Sequence, residues 1–113
     1  MKLIIAYIKQ ERLTAVKQEL YKRSLLKMSV SNALGGGQQK GYIEAYRGAI
    51  SEVNLLKKVR LAIGVNDEYV ETTIDGIIAG ARTGHIGDGK IFVLPMEDCI
   101  RIRTGEHGPE AIG

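Results

Sequence analysis

Apolar and polar positions repeat one pattern twice along this chain. Leu3-Ile4-Ile5-Ala6-Tyr7-Ile8 is a run of β-favouring apolar residues and predicts a buried strand. Over residues 11–22, Leu13, Val16 and Leu20 share one face while Lys17, Glu19 and Lys22 fall elsewhere, which predicts an amphipathic helix. Residues 26–34 then alternate, Met28, Val30 and Asn32 against Lys27, Ser29 and Ser31, as a half-buried strand does. The pattern restarts with a strand at residues 59–65. Asn66 stands where it can cap a second helix, whose first turn carries Asp67 and Glu68. The apolar stripe of that helix is Val70, Ile74, Ile77, Ile78 and Ala81. Residues 90–94 read as the next strand and residues 99–103 as a short further one.

Strand–helix–strand twice over predicts an α+β fold, a ferredoxin-like βαββαβ sandwich with two helices covering one face of an antiparallel sheet. Residues 3–8 and 91–94 are apolar at successive positions, so the second sheet face also needs a cover. A chain of 113 residues makes one domain with a modest core, and the simplest cover is another subunit. We therefore expect a homo-oligomer with its sheets packed inward.

Composition narrows the chemistry. With 44% hydrophobic and 26% charged residues the chain is globular, and a net charge of +3 does not by itself point to nucleic acid. Cys99 is the sole cysteine, so there is no intrachain disulfide and no thiol zinc site. His85 and His107 lack companion ligands at metal-binding spacing, although a metal carried by a nucleotide would need none. The N-terminal apolar run is too short for a signal peptide or a membrane span, and the expectation is a soluble, cytoplasmic protein.

Two segments stand out. Residues 35–54 begin with Gly35-Gly36-Gly37, show no sustained apolar periodicity and are longer than a plain connection in a compact domain. They are either an extended hairpin or a functional loop whose Tyr42, Tyr46 and Arg47 contact a partner. The second is Thr83-Gly84-His85-Ile86-Gly87-Asp88-Gly89-Lys90, followed closely by Arg101-Ile102-Arg103. Glycine turns let backbone N–H groups approach anionic oxygens, and Lys90, Arg101 and Arg103 would supply charge for a polyphosphate. Arginines at i, i+2 would share one side of a strand and grip one phosphate group together. The plainer alternative is that Asp88-Gly89 is a hairpin turn and the arginines the wet face of an edge strand.

Taken together these motifs resemble the PII signal-transduction family, over essentially the whole chain. Residues 83–93 fit the family's C-terminal signature. Gln39-Lys40-Gly41 and Tyr46-Arg47-Gly48 match elements of its long T-loop, here about residues 36–54, and Lys58, Lys90, Arg101, Arg103 and Thr104-Gly105-Glu106 fall in register. The resemblance implies a non-enzymatic, compact homotrimer of single-domain subunits. It would sense ATP, ADP and 2-oxoglutarate in clefts between subunits. Gly35, Gly37, Gln38, Gly87, Asp88, Gly89 and Lys90 would serve the nucleotide from one subunit, and Ser29, Arg101 and Arg103 from the next, with Gly64 also at the nucleotide. Gln39 would help chelate the Mg2+ held by ATP and 2-oxoglutarate, and Lys58 would pair with an oxoacid carboxylate. The T-loop would dock on an ammonium-type or other membrane transporter, recruiting the protein to the inner face of the membrane, or on a regulatory enzyme. Nucleic acid is not an implied partner.

Departures from the family pattern bear on that reading. Ser51 stands where some members carry a nucleotidylated tyrosine and has no phenol to modify. Ala49 stands where others carry a phosphorylated serine. Gln38 replaces a usual arginine, Lys27 a glycine, Ser29 a threonine and Ala62 an acidic residue. These changes are compatible with a regulator of a transporter other than the ammonium channel, with a weakened 2-oxoglutarate response, or with a slow nucleotide-hydrolysing protein. An RNA-binding domain of the same topology would need stacking aromatics on its central strands, and Phe92 is the only Phe, with no Trp. A dedicated hydrolase would be expected to show a Gly-Lys-Ser/Thr phosphate loop, which the chain does not contain.

Overall fold

A computed structural model describes residues 1–35 and 56–113. Strand β1 (Lys2–Lys9) leads through a 3-10 turn at Gln10–Arg12 into helix α1 (Leu13–Lys22). Strands β2 (Ser29–Gly35) and β3 (Leu56–Val65) follow, then a 3-10 turn at Asp67–Tyr69 and helix α2 (Val70–Ala81). Strand β4 (Lys90–Pro95) and a short helix α3 (Pro109–Ile112) complete the described chain. The strands form one sheet in the order β2-β3-β1-β4, every neighbour antiparallel, which is the expected α+β ferredoxin-like arrangement.

Register decides which side chains meet the helices. Ile4 lies opposite Ile63, Ala6 opposite Leu61 and Ile8 opposite Val59, so these six share one sheet face. All are buried there beneath Val16 and Leu20 of α1 and Ile77 of α2. Burying each large aliphatic of this set contributes about 1.5–3 kcal/mol. The helices approach closely because Gly80 has no side chain: a Cβ there would lie 2.5 Å from Val16 Cα. Arg12 Nε then donates to the Gly80 carbonyl at 2.9 Å, tying the start of α1 to the end of α2. At the other end α1 stops in a Schellman-type turn. Ser24 takes φ 61° and Leu25 N–H donates to Leu20 O at 2.9 Å, which folds Leu25 back onto the core.

The second sheet face carries Leu3, Ile5 and Tyr7 of β1 and, through the pairs Ile5–Phe92 and Leu3–Leu94, two apolar side chains of β4. Phe92 and Leu94 remain 48% and 41% exposed, and Tyr7 meets Phe92 edge to face at 6.3 Å. The buried core shared with α1 and α2 lies on the opposite face.

Three local expectations change. The first turn of the N-terminal helix is 3-10 rather than α, and β2 starts at Ser29, leaving residues 26–28 as a connection from which Met28 packs on the core. Asn66 precedes the 3-10 turn as an N-cap, but its side chain makes no capping bond; Nδ2 donates to the Pro109 carbonyl at 3.1 Å. Residues 99–103 are not a strand. The chain there forms a turn, with Gly105 N–H donating to Arg101 O at 2.7 Å and Arg101 N–H to Glu106 O at 2.9 Å. Only the bridge Ile100–His107 has β character. Alternation misled here because Ile100 and Ile102, 54% and 99% exposed, have no apolar surface to meet.

Candidate functional site

Two cationic clusters take shape at opposite ends of the sheet. The first surrounds the turn between α2 and β4. Gly84, Gly87 and Gly89 adopt φ of 87°, 101° and 104°, backbone that side-chain-bearing residues rarely take. At Gly89 the need is also spatial, since a Cβ would sit 1.7 Å from the Tyr7 carbonyl oxygen of β1. The turn is held from within by Asp88. Its carboxylate accepts from the Thr83 hydroxyl, from Thr83 N–H at 2.8 Å and from Gly84 N–H at 2.9 Å, and Lys9 Nζ lies 3.3 Å away. Those hydrogen bonds, the Thr83 hydroxyl foremost, hold the carboxyl well below the usual carboxylate range. Asp88 therefore shapes the turn by spending its lone pairs inward.

Lys58, opposite Lys9 in the β1–β3 register, donates to the Gly87 carbonyl at 2.6 Å. An ammonium has three donors, so this bond leaves Lys58 able to take an anion as well. Lys90 opens β4 exposed, and its side chain makes no hydrogen bond or ion pair with the described residues. The same end of the sheet is where β2 leaves at Gly35 and β3 returns at Leu56. Gly37, Gln38, Gln39, Tyr42, Tyr46 and Arg47 lie outside the described residues.

The second cluster lies toward the other end. Asp98 braces it as Asp88 braces the first, accepting from Cys99 N–H at 2.8 Å and Gly108 N–H at 3.1 Å and pairing with His107 Nδ1 at 2.8 Å. The His107 bond, with the two N–H donors, lowers the Asp98 pKa. The turn so held presents Arg101 and Arg103. Arg101 Nη1 meets Glu106 Oε1 at 2.7 Å, and its Nη2 donates to the carbonyls of Glu110 at 3.1 Å and Ala111 at 3.4 Å. Arg103 is exposed and makes no hydrogen bond or ion pair with the described residues. The two arginines thus differ in situation instead of sharing one side of a strand, because the backbone between them turns. Beside them a cavity of about 330 Å³ is lined by Lys27, Gly64, Asn66, Tyr69, Ile112 and Gly113. Ser29 pairs with Ala62 between the two ends.

Lys58 and Gly64 lie near opposite ends of β3, about 20 Å apart at a strand rise of ~3.4 Å per residue. The residues that sequence motifs assign to one polyphosphate are therefore divided within a subunit, Gly87, Gly89 and Lys90 at one end, Gly64 and Arg101 toward the other. Motif reading missed Lys9, whose contact with Asp88 crosses from β1, and the Asp98–His107 pair, nine residues apart around a turn. Among the described residues no group of three or more His, Cys, Asp and Glu is placed to hold a metal ion, and no helix is long and apolar enough to cross a membrane.

Acid should open the first turn before it opens the core. The folded pKa of Asp88 lies below its unfolded value, so its contribution is complete above the ordinary carboxylate range, near about 3.9, and is lost as pH falls from there through the folded value. Hydrogen exchange at Thr83 and Gly84, followed downward from about pH 6, should accelerate on that course after correction for intrinsic rates. Asp88→Asn should make both amides exchange quickly at neutral pH and flatten the dependence.

The architecture agrees with what the chain is similar to. The family model described as "Nitrogen regulatory protein P-II" matches residues 1–106. The nitrogen regulatory protein GlnK1 of Methanosarcina mazei is 54% identical over 114 residues, covering 99% of this chain and 97% of that protein. Nitrogen regulatory proteins P-II of Bradyrhizobium diazoefficiens and Nostoc punctiforme are 50% and 47% identical over 112 residues, covering 99% of this chain and 100% of each relative. These relatives are regulatory proteins, not enzymes, and this chain is a non-enzymatic signalling regulator that belongs to the nitrogen regulatory protein P-II family.

Proposed function

We propose that this protein is a single-domain, cytoplasmic sensor that binds ATP or ADP in clefts between the subunits of a homotrimer. It reads 2-oxoglutarate in the presence of Mg-ATP, and it controls a nitrogen-metabolism enzyme or a membrane transporter through residues 36–54. The division of the cationic residues between opposite ends of the sheet carries this reading. A nucleotide reaching both clusters has to lie where the Lys90 end of one subunit meets the Arg101 end of another. The apolar open face of the sheet supports such packing, since Phe92 and Leu94 are otherwise left to water. The nucleotide phosphates would be met by Lys90 and the Gly87–Gly89 turn on one side, and by Arg103 and a released Arg101 on the other. Mg2+ would be held mostly by phosphate and oxoacid oxygens, with Gln39 completing the set and Lys58 taking a carboxylate.

The test is titration of 2-oxoglutarate into protein with Mg-ATP, with Mg-ADP and without nucleotide, repeated with Gln39→Ala and Lys58→Met. Binding is expected only with Mg-ATP and should weaken about tenfold or more in each variant. Equal binding in all three conditions, or indifference to both substitutions, would leave a nucleotide-binding regulator without an oxoacid switch. Light scattering should report a trimer at micromolar concentration, and a stable folded monomer would remove the intersubunit site.

A further inference from the structure

We propose that the C-terminal segment Pro109–Ile112 is a strap that competes with anionic ligands for Arg101 and Lys27; the proposal rests on the nucleotide reading above and adds a control to that site. The carbonyls of Glu110 and Ala111 accept from Arg101 Nη2 at 3.1 and 3.4 Å, and the Ile112 carbonyl lies 3.5 Å from Lys27 Nζ. These are the last carbonyls of α3, an electronegative helix end that offers both cations what phosphate oxygens would offer. With Nη1 also on Glu106, three bonds from the two terminal nitrogens of Arg101 go to its own chain. A phosphate can claim Nη2 fully only when those carbonyls move.

The segment is built to move as a unit. Its root is Gly108 at φ 79°, whose N–H is held by the Cys99 carbonyl at 2.9 Å and Asp98 Oδ1 at 3.1 Å, so any swing takes place beyond that nitrogen, where glycine has the widest choice of backbone angles. The chain just before that hinge is fastened by Asp98 through Cys99 N–H and His107, so the arginine turn can stay put while the strap swings. Beyond the hinge the hold is local: Asn66 Nδ2 to the Pro109 carbonyl at 3.1 Å, Arg101 Nη2 to the carbonyls of Glu110 and Ala111, Lys27 Nζ to that of Ile112, and the buried methyl of Ala111. Among the described residues the buried Asn66 Oδ1 has no hydrogen-bond partner, so the docked strap bonds only the Nδ2 side of the amide that anchors it. A phosphate that offers oxygens to Arg101 and Lys27 replaces most of the polar contacts that hold the strap closed.

The deciding measurement compares the full chain with a chain ending at Gly108, each titrated calorimetrically with ATP and with inorganic tripolyphosphate. Removing the competitor should tighten both ligands about three- to tenfold, the range for the net contribution of one ordinary hydrogen bond. Hydrogen exchange on the full chain adds a readout that needs no variant: the Ala111 amide, bonded to Gly108 O at 2.9 Å, should exchange faster once ATP is bound. Unchanged or weaker binding by the shortened chain, with the full chain binding ATP normally, would overturn the strap and leave the nucleotide reading standing. Slower exchange at Ala111 on adding ATP would do the same, since it would make the segment a clamp over the ligand. Absence of ATP binding by both chains would remove the nucleotide reading and the strap together.

Discussion

Gly89→Ala should cost at least about 3 kcal/mol of folding stability, whereas Gly84→Ala, in the same turn, should cost only about 1 kcal/mol. Both residues have positive φ, 104° and 87°, so both substitutions incur the strain of a left-handed backbone. They differ in what the new methyl meets. At Gly84 there is nothing within 4 Å, while at Gly89 the methyl would sit 1.7 Å from the Tyr7 carbonyl oxygen. That oxygen belongs to the backbone of β1, which is paired on both edges, with β3 and with β4, and cannot yield without disturbing a ladder. The turn must move instead, and with it the Asp88 bonds to Thr83 and Gly84. Urea denaturation of the three proteins checks the ranking. Equal losses in the two variants would mean that backbone strain alone requires glycine here and that the close approach to β1 is relieved at little cost.

The second large effect is a recovery. Lys90→Ala and Arg103→Ala should each weaken ATP binding about tenfold or more, through loss of a charge-assisted contact to phosphate. Unfolded together and refolded as mixed oligomers from equal amounts, the two variants should regain native affinity at roughly one site in four. That fraction is the chance that a subunit with an intact Lys90 end adjoins one with an intact Arg103 end. A site contained within one subunit would regain nothing, since every chain then carries one defect. Calorimetric stoichiometry at an ATP concentration that saturates only native sites reads the difference directly.

Much of the fold could be read from periodicity because β1, β3, α1 and α2 each bury a face, and burial is what makes hydrophobic spacing informative. Val16, Leu20 and Ile77 are all at most 1% exposed, and all fell on the predicted apolar faces of their helices. Residues 99–103 show the converse. Their alternation is as regular as that of a strand, yet Gly105 and Gly108, at φ of 75° and 79°, turn the chain before any sheet is joined. Pro109 after Gly108, with Glu110 in the first turn, was the available signal for α3. The site was legible at the level of residue type and much less so in its geometry. A Gly-Asp-Gly motif does not say whether the aspartate faces a ligand or its own loop, and only the contacts of Asp88 decide that. Nor can a motif list show that Lys90 and Arg101 lie apart in one subunit. That separation follows from strand order, a property of pairings distant in sequence.

The two carboxylates that brace the turns have a consequence for how such a protein can diverge. Asp88 and Asp98 direct their bonds toward their own turns, while the side chains of Lys90 and Arg103 stand on the outside with no bond to the described residues. Architecture and chemistry are thus assigned to different side chains. Replacing Lys90 or Arg103 alters what the surface attracts and leaves the scaffold standing, whereas replacing either aspartate dismantles the platform whatever it was attracting. On the proposed reading of an anion sensor, a lineage starting from this chain could exchange one small anionic signal for another through single substitutions, none of which requires the protein to learn a new fold.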